Sequence, residues 1–392
     1  MTPDRPSPPA RLARRALLPL LAAPLLPLAA PAIVRAQGAA DGGAGGGPVG
    51  GRDLLGREVR LSRPARRIVL VQGRHLAVLN LLHPDPASLL VGWGQDLRRD
   101  QGGEYRAFRD RYPALDALPV LSDDPGVEQV LALQPDLVLL SRRGAAGRGG
   151  GADSPLLGSL GSAGVATAVI DFFAQPLRDT EPSLRLLGTL LGREAQAEAL
   201  ITLHRARLAN VADRLKALGE PAPTVFMHAH AGGTDCCFSP GRGTLDDFIR
   251  LAGGTNIGAE TIPAVTGQIS LEALLTRDPE VYVATGGPYG GRGGVSLGAG
   301  VDAALARSSL RDVVAAQHLE ALRAVRNGRA HAIWHGFNDS PSHVLAVEAL
   351  ARWFHPALRP AIDPAATLAE LNSRFAAVPM EGTYWIDLAP AG

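Results

Sequence analysis

The longest regular pattern in the chain runs from Arg193 to Leu218. Ala197, Leu200, Ile201, His204, Leu208, Val211, Leu215 and Leu218 recur at three- and four-residue steps. That is the period of an amphipathic helix, and Gly219 followed by Pro221 supplies the stop. At 1.5 Å rise per residue such a helix is about 40 Å long, enough to cross a domain. On either side of it, short apolar runs alternate with helical stretches. Arg67 to Val71, Leu89 to Trp93, Leu137 to Ser141 and Val165 to Phe173 read as strands before it. Thr224 to Met227, Val281 to Thr285 and His331 to Trp334 read as strands after it. Such alternation predicts parallel, doubly wound sheets. The expected fold is α/β, with two doubly wound α/β lobes joined by a single long rigid helix.

The expected divisions follow from these patterns. Residues 1–36 form an export signal: Arg11, Arg14 and Arg15 precede a proline-broken apolar run, and Val34-Arg35-Ala36 offers a small-residue cleavage site. The run is too short and proline-rich for a membrane span. The Arg14-Arg15 pair fits the twin-arginine route, with general secretion as the alternative. The mature protein is expected in a bacterial periplasm, and no lipidation cysteine follows the signal. Residues 37–51 are a Gly-rich tether without the capacity to form a core. An N-terminal lobe over 52–175 follows, opening on a small hairpin at Asp53 to Val59, with a disordered surface loop expected at Gly144 to Asp153. Residues 176–220 are a helical linker that includes the bridging helix. A C-terminal lobe takes 221–360, and a C-terminal helix and tail take 361–392.

Composition removes several functions. A net charge of +1 leaves no basic stripe to neutralise phosphates, which argues against nucleic acid as a partner. Lys216 is the only lysine, so a Walker-type phosphate loop is excluded, and catalytic lysines elsewhere with it. No Gly-x-Ser-x-Gly elbow is present, and Ser340-Pro341-Ser342-His343 lacks the context of a catalytic triad. An enzyme is therefore not expected, and neither is a cofactor.

The chain also echoes itself. Val127 to Val138 aligns without gaps with Leu271 to Tyr282: a short helix opening with Glu128 or Glu272, a Pro-Asp or Pro-Glu turn, then a strand. Asp53-x-x-Gly56-Arg57-x-Val59, Pro64-Ala65-x-Arg67-Ile68-Val69, Pro135-Asp136-Leu137-Val138, Gly253 to Gly258, Gly267 to Glu272 and Arg326 to His331 follow in an order and spacing that together are specific. With these motifs the chain, from Asp53 to Leu388, resembles the periplasmic solute-binding proteins of ABC importers for iron-siderophores, haem and cobalamin. The resemblance implies two α/β lobes on a rigid helix and a metal-chelate small molecule held in the cleft between them. It also implies a monomer that delivers its ligand to an ABC permease dimer, with Glu128 and Glu272 as docking residues, one on each lobe.

In open α/β sheets, ligands sit beyond the carboxyl ends of the strands. That rule selects Arg74, His75, Trp93, Arg142, Phe172 and Phe173 in the first lobe. In the second it selects His228, His230, Tyr289, Trp334, His335 and Phe337. Aromatic rings for stacking and arginines for carboxylate or catecholate oxygens suit a bulky anionic chelate. Packing of the lobe edges accounts for part of this set equally well. Gly241-Arg242-Gly243-Thr244 reads either as an anion site at a helix N-terminus or as a plain cap. His228-x-His230, with Cys236 and Cys237 close behind, admits a bare-metal reading: a zinc or manganese importer component, or a zinc enzyme using His228, His230 and Cys236. The competing reading, one histidine buried and the other facing the cleft, is favoured because no carboxylate cluster accompanies them. Cys236 and Cys237 in an oxidising compartment are either two free thiols or a vicinal disulfide presenting an apolar lid to the cleft.

Overall fold

The structure is a computed structural model, and it describes residues 47–146, 155–287 and 294–388. The first half of the chain builds a five-stranded, all-parallel sheet. Its order from edge to edge is Val120–Leu121, Leu90–Gly94, Ile68–Leu70, Leu137–Leu140 and Thr167–Val169. Successive side chains of a strand point to opposite faces, and here each face has its own core. Ile68, Leu70, Leu137 and Leu139 join the large cluster that continues into the rest of the molecule. Val69, Val71, Val138 and Leu140 pack with Val130, Leu157 and Leu160 on the other face. Burial on both faces is why these strands read as unbroken apolar runs rather than as alternating ones.

The second half repeats the architecture with a different order: Thr255–Asn256, Thr224–His228, Val281–Gly286, Ala330–Trp334 and Trp385–Asp387. The first four are parallel and the last is antiparallel. The tail that the sequence sets apart as 361–392 is thus partly threaded into this sheet. A three-residue edge strand after a turn carries too little periodic signal to announce itself. In each sheet one pair of neighbours marks the reversal of winding: Ile68–Leu70 beside Leu137–Leu140, and Thr224–His228 beside Val281–Gly286. Crevices open at such places, beyond the carboxyl ends of the strands.

Between the sheets the chain forms the helices Pro176–Leu191 and Glu194–Leu218. Gly192, in the left-handed region at φ 63°, turns one into the other, and Gly219 at φ 65° ends the second. Ala197, Leu200, Ile201, His204 and Val211 of the second helix are buried, as its periodicity predicts. Its contacts reach both halves. Gln196 donates to the Leu81 carbonyl, His204 meets His343 at 2.9 Å, and Arg207 pairs with Glu370 at 2.6 Å.

Two expectations change at the N-terminal side. Gly50 and Gly51, assigned to the tether, lie in the strand Val49–Arg52, paired antiparallel with Glu58–Leu61. Backbone pairing needs no side chains, and a Cβ on Gly50 would stand 2.6 Å from the Val59 carbonyl, so glycine suits the close approach. Buried Asp53 fixes the turn by accepting from the Leu55 and Arg57 amides and from the Arg57 guanidinium. Gly144 to Ala146 belong to a short helical segment, Arg142–Ala146, rather than to a loop. The rest of that expected loop lies outside the described residues, as does the whole of 1–36. Among the described residues no helix is long and apolar enough to cross a membrane.

Burial of histidine gives a pH dependence. Burial pushes His75, His204 and His228 down to about 4, and lowers His331, His335 and His343 as well. An unfolded chain takes up protons on these groups as pH falls through about 6.5, whereas the folded chain resists to lower pH, to about 4 for His75, His204 and His228. Their contribution is complete above the unfolded value and is lost on acidification, by up to about 1.4 kcal/mol per pH unit for each group. Glu104 and Glu348, raised to about 7 by burial, act in the opposite sense but are fewer. The urea midpoint is therefore expected to fall steadily from pH 6.5 towards 4. A midpoint that rises over that range would contradict neutral burial of these imidazoles.

Candidate functional site

The turns that follow the carboxyl ends of strands in both sheets carry the polar groups of a cleft. In the first lobe Gln72, Arg74 and His75 follow Ile68–Leu70, and Ser141 and Arg143 follow Leu137–Leu140. In the second, His230 follows Thr224–His228, and His335 and Asn338 follow Ala330–Trp334. The turn at Gly73 is tight. A Cβ there would meet the Gly94 carbonyl at 2.1 Å, so only glycine lets the two strand ends come together. Two adjoining cavities of about 460 and 400 Å³ result, sharing Arg74, Arg99, Arg143 and Phe173.

Arg74 spans the cleft. Its Nε donates to Asp96 Oδ2 at 2.6 Å within the first lobe, and its Nη1 donates to Asp339 Oδ2 at 2.5 Å from the second. Asp96 also accepts from the Gly73 amide at 2.6 Å, so one carboxylate fixes both the turn and the guanidinium. Arg74 is raised well above its ordinary value, chiefly by Asp339. Burial pushes Asp339 up while Arg74 holds it down. Arg99, beside it, pairs with Asp100 and Asp123, each at 2.7 Å. Asp171 accepts from the amides of Arg142, Phe173 and Ala174, which presents Phe173 to both cavities. Of the arginines expected to await an anion, Arg74 and Arg142 are thus already matched with carboxylates.

On the facing side Thr285 organises two histidines. Its hydroxyl accepts from the His230 amide at 2.9 Å and lies 2.9 Å from His335 Nδ1. Burial holds His335 well below its ordinary value, so the ring is neutral. With Asn338 Nδ2 donating to Nε2 at 3.0 Å, the proton sits on Nδ1. The two imidazoles lie 4.1 Å apart, centre to centre, and Trp334 completes the wall.

Of the residues singled out from sequence, Arg74, His75, Phe173, His230, Trp334 and His335 line the cleft. Others lie elsewhere. Trp93 is buried and stacked on Tyr105, Phe172 is fully buried, and Phe337 is packed among Trp334, Tyr384 and Trp385. The Arg142 guanidinium turns to Asp179 at 2.7 Å, leaving its neighbour Arg143 to face the cavities. Arg242 lines a separate open groove near Gln175 and Arg250. Tyr289 lies outside the described residues. His228 is buried against Tyr282 at 3.1 Å, while His230, at φ 53°, is turned into the cleft. The strand ends at His228, so the two rings do not share a face. Cys236 and Cys237 are joined as a disulfide beside the small sheet of Phe238–Pro240 and Thr266–Gln268. Neither lines the cleft cavities, so the expected lid is absent there. Among the described residues no group of three or more His, Cys, Asp or Glu could hold a metal ion.

Sequence reasoning missed Gln72, Asp96, Arg99, Arg143 and Asp339. They lie in or next to the segments that the strand-end rule selects, and Gln72, Asp96 and Asp339 are neither aromatic nor basic, so a search for stacking rings and anion-binding arginines passes over them. Extending the rule by one helical turn past Trp93 reaches Asp96, and by a second reaches Arg99.

Residues 120–333 match the profile of the periplasmic binding proteins. The chain belongs to that family. Its members carry a bound substrate and do not convert it. The chain is also 28% identical over 186 residues to a vitamin B12-binding protein of Pectobacterium carotovorum, a match covering 46% of this chain and 62% of the relative. The chain thus spans under two thirds of that curated relative. Solved structures share the fold, two of them as follows. The TroA-like periplasmic binding protein FepB from Veillonella parvula superposes with a TM-score of 0.79 at 23% identity, covering 87% of this chain and 100% of that one. A periplasmic haem-binding protein from Pseudomonas aeruginosa gives 0.54 at 23%, covering 83% and 99%. These likenesses agree with the two-lobed α/β architecture.

The Arg74 bridge makes an asymmetric prediction. Asp96→Ala removes a carboxylate that also holds the Gly73 amide, whereas Asp339→Ala removes one whose burial is itself costly. Arg74 is about a third exposed, which discounts both effects. Asp96→Ala is expected to cost about 3 kcal/mol and Asp339→Ala about 1 kcal/mol in urea unfolding. Equal costs would contradict this division.

Proposed function

We propose that this protein is the exported substrate-binding component of an ABC importer, and that it binds a ferric siderophore or a related metal chelate such as haem or cobalamin. The observation that carries the reading is the cleft itself. It lies beyond the carboxyl ends of parallel strands in both sheets, in a chain of the periplasmic binding family. Its lining mixes aromatic faces with many fixed hydrogen-bonding groups, as a bulky chelate with a polar periphery requires. The match to a vitamin B12-binding protein and the fold shared with a haem-binding protein support the same class. Residues 1–36 would act as the export signal, by the twin-arginine or the general route.

Binding is tested by tryptophan fluorescence, because Trp334 lines the cleft and a coloured chelate placed against it quenches its emission. Trp334→Phe keeps the packing against Phe337 and Tyr384, and is expected to weaken binding by about 1 kcal/mol through lost ring area. Unchanged affinity would place the chelate away from this wall.

Hand-over is assigned to Glu128 and Glu272. Both are exposed in the first turns of the helices Val127–Ala132 and Leu271–Arg277, each of which feeds a central strand of its lobe. A carboxylate in a first turn is favourable to the helix by about 0.3–1 kcal/mol, which explains each singly but not their matched placement. Two like charges, one per lobe, suit a two-fold permease dimer with basic residues, through salt-sensitive rim contacts. Glu128→Arg with Glu272→Arg should leave chelate affinity intact and abolish most uptake. Wild-type transport in the double variant would remove the assignment.

A further inference from the structure

We infer that the cleft selects a metal chelate of zero or positive net charge and disfavours a polyanionic one. The inference rests on the carrier reading above and narrows its substrate class. Among the described residues, the walls of the two cavities carry three guanidinium groups, those of Arg74, Arg99 and Arg143. They carry six carboxylates, those of Asp96, Asp100, Asp123, Asp124, Asp171 and Asp339. Six against three leaves an excess of three negative charges, and a charge on His230, which also lines the second cavity, would still leave two. His75, held down to about 4, and His335, held well below its ordinary value, add no positive charge at neutral pH.

The arrangement matters as much as the count. Arg74 is committed to Asp96 and Asp339, and Arg99 to Asp100 and Asp123. A catecholate or carboxylate ligand seated on Arg74 or Arg99 would have to displace a carboxylate and leave it unpaired beside the incoming anion, which leaves only Arg143 to offset the six carboxylates. In a cleft with low-dielectric walls that repulsion is strengthened and acts over the whole ligand. An amide-fringed or hydroxamate chelate meets no such cost. Gln72, Ser141, Thr234 and Asn338 offer neutral donors and acceptors around the same space, and the excess carboxylates favour a cationic metal centre or a pendant ammonium.

The test is a panel of probes of different charge, titrated by fluorescence against the full exported chain: cyanocobalamin, a ferric trihydroxamate with a pendant ammonium, a trianionic ferric tricatecholate, and haemin with its two propionates. The neutral or the cationic probe is expected to bind at least about tenfold more tightly than either anionic one, with the cationic probe weakened by added salt. Asp123→Asn with Asp124→Asn, at the mouth of the cleft, is expected to shift the preference towards the anionic probes severalfold. Tightest binding of the tricatecholate or of haemin overturns the charge inference and leaves the carrier reading standing. An unchanged preference in the double variant also overturns it. Binding of none of the four overturns the carrier reading itself.

Discussion

A guanidinium held between two carboxylates from opposite lobes is the interaction on which the cleft depends. Arg74 reaches Asp96 on one side and Asp339 on the other, and Asp96 in turn pins the Gly73 turn. The side chain that might have been the anchor for an anionic ligand is therefore a strut. It sets the spacing of the two strand-end turns, and with it the width of the space between them. A strut of this kind is strong only while it is shielded. Asp339, pushed up by burial and held down by Arg74, marks the point where that balance is finest.

The bridging helix supplies the second constraint. Glu194–Leu218 is tied to the first half through Gln196 and to the second through His204 and Arg207. Further ties join the halves away from the cleft. Asn80 exchanges two hydrogen bonds with Val378, and Glu104 accepts from the Ala299 amide at 2.9 Å. With contacts at several separated points, the geometry of the cleft is set by packing around it rather than by the helix alone.

Much of this was legible in the chain. The helix declared itself because five buried positions fall on one 3.6-residue stripe, and the inner strands did so because burial on both faces leaves only apolar residues. The edge strand Trp385–Asp387 did not, being three residues long and half-buried. The site was less legible, for reasons that particular residues show. Arg142 and Arg143 are indistinguishable in sequence. Which one faces the cleft is decided by Asp179, a partner far along the chain. His228 and His230 look like one face of a strand, yet the strand ends between them and the positive φ of His230 turns its ring away. A net charge of +1 for the whole protein conceals a cleft wall with an excess of carboxylates, because net charge carries no information about placement.

A ligand held between the two sheets would rest against the turns that follow Ile68–Leu70, Leu137–Leu140 and Ala330–Trp334. Hydrogen exchange, compared with and without the tightest-binding chelate, tests this most directly. Joint protection is expected at Gln72 to His75 and Ser141 to Arg143 on one side of the cleft and at His335 to Asp339 on the other. Protection confined to one lobe, or to the groove around Arg242, would contradict it.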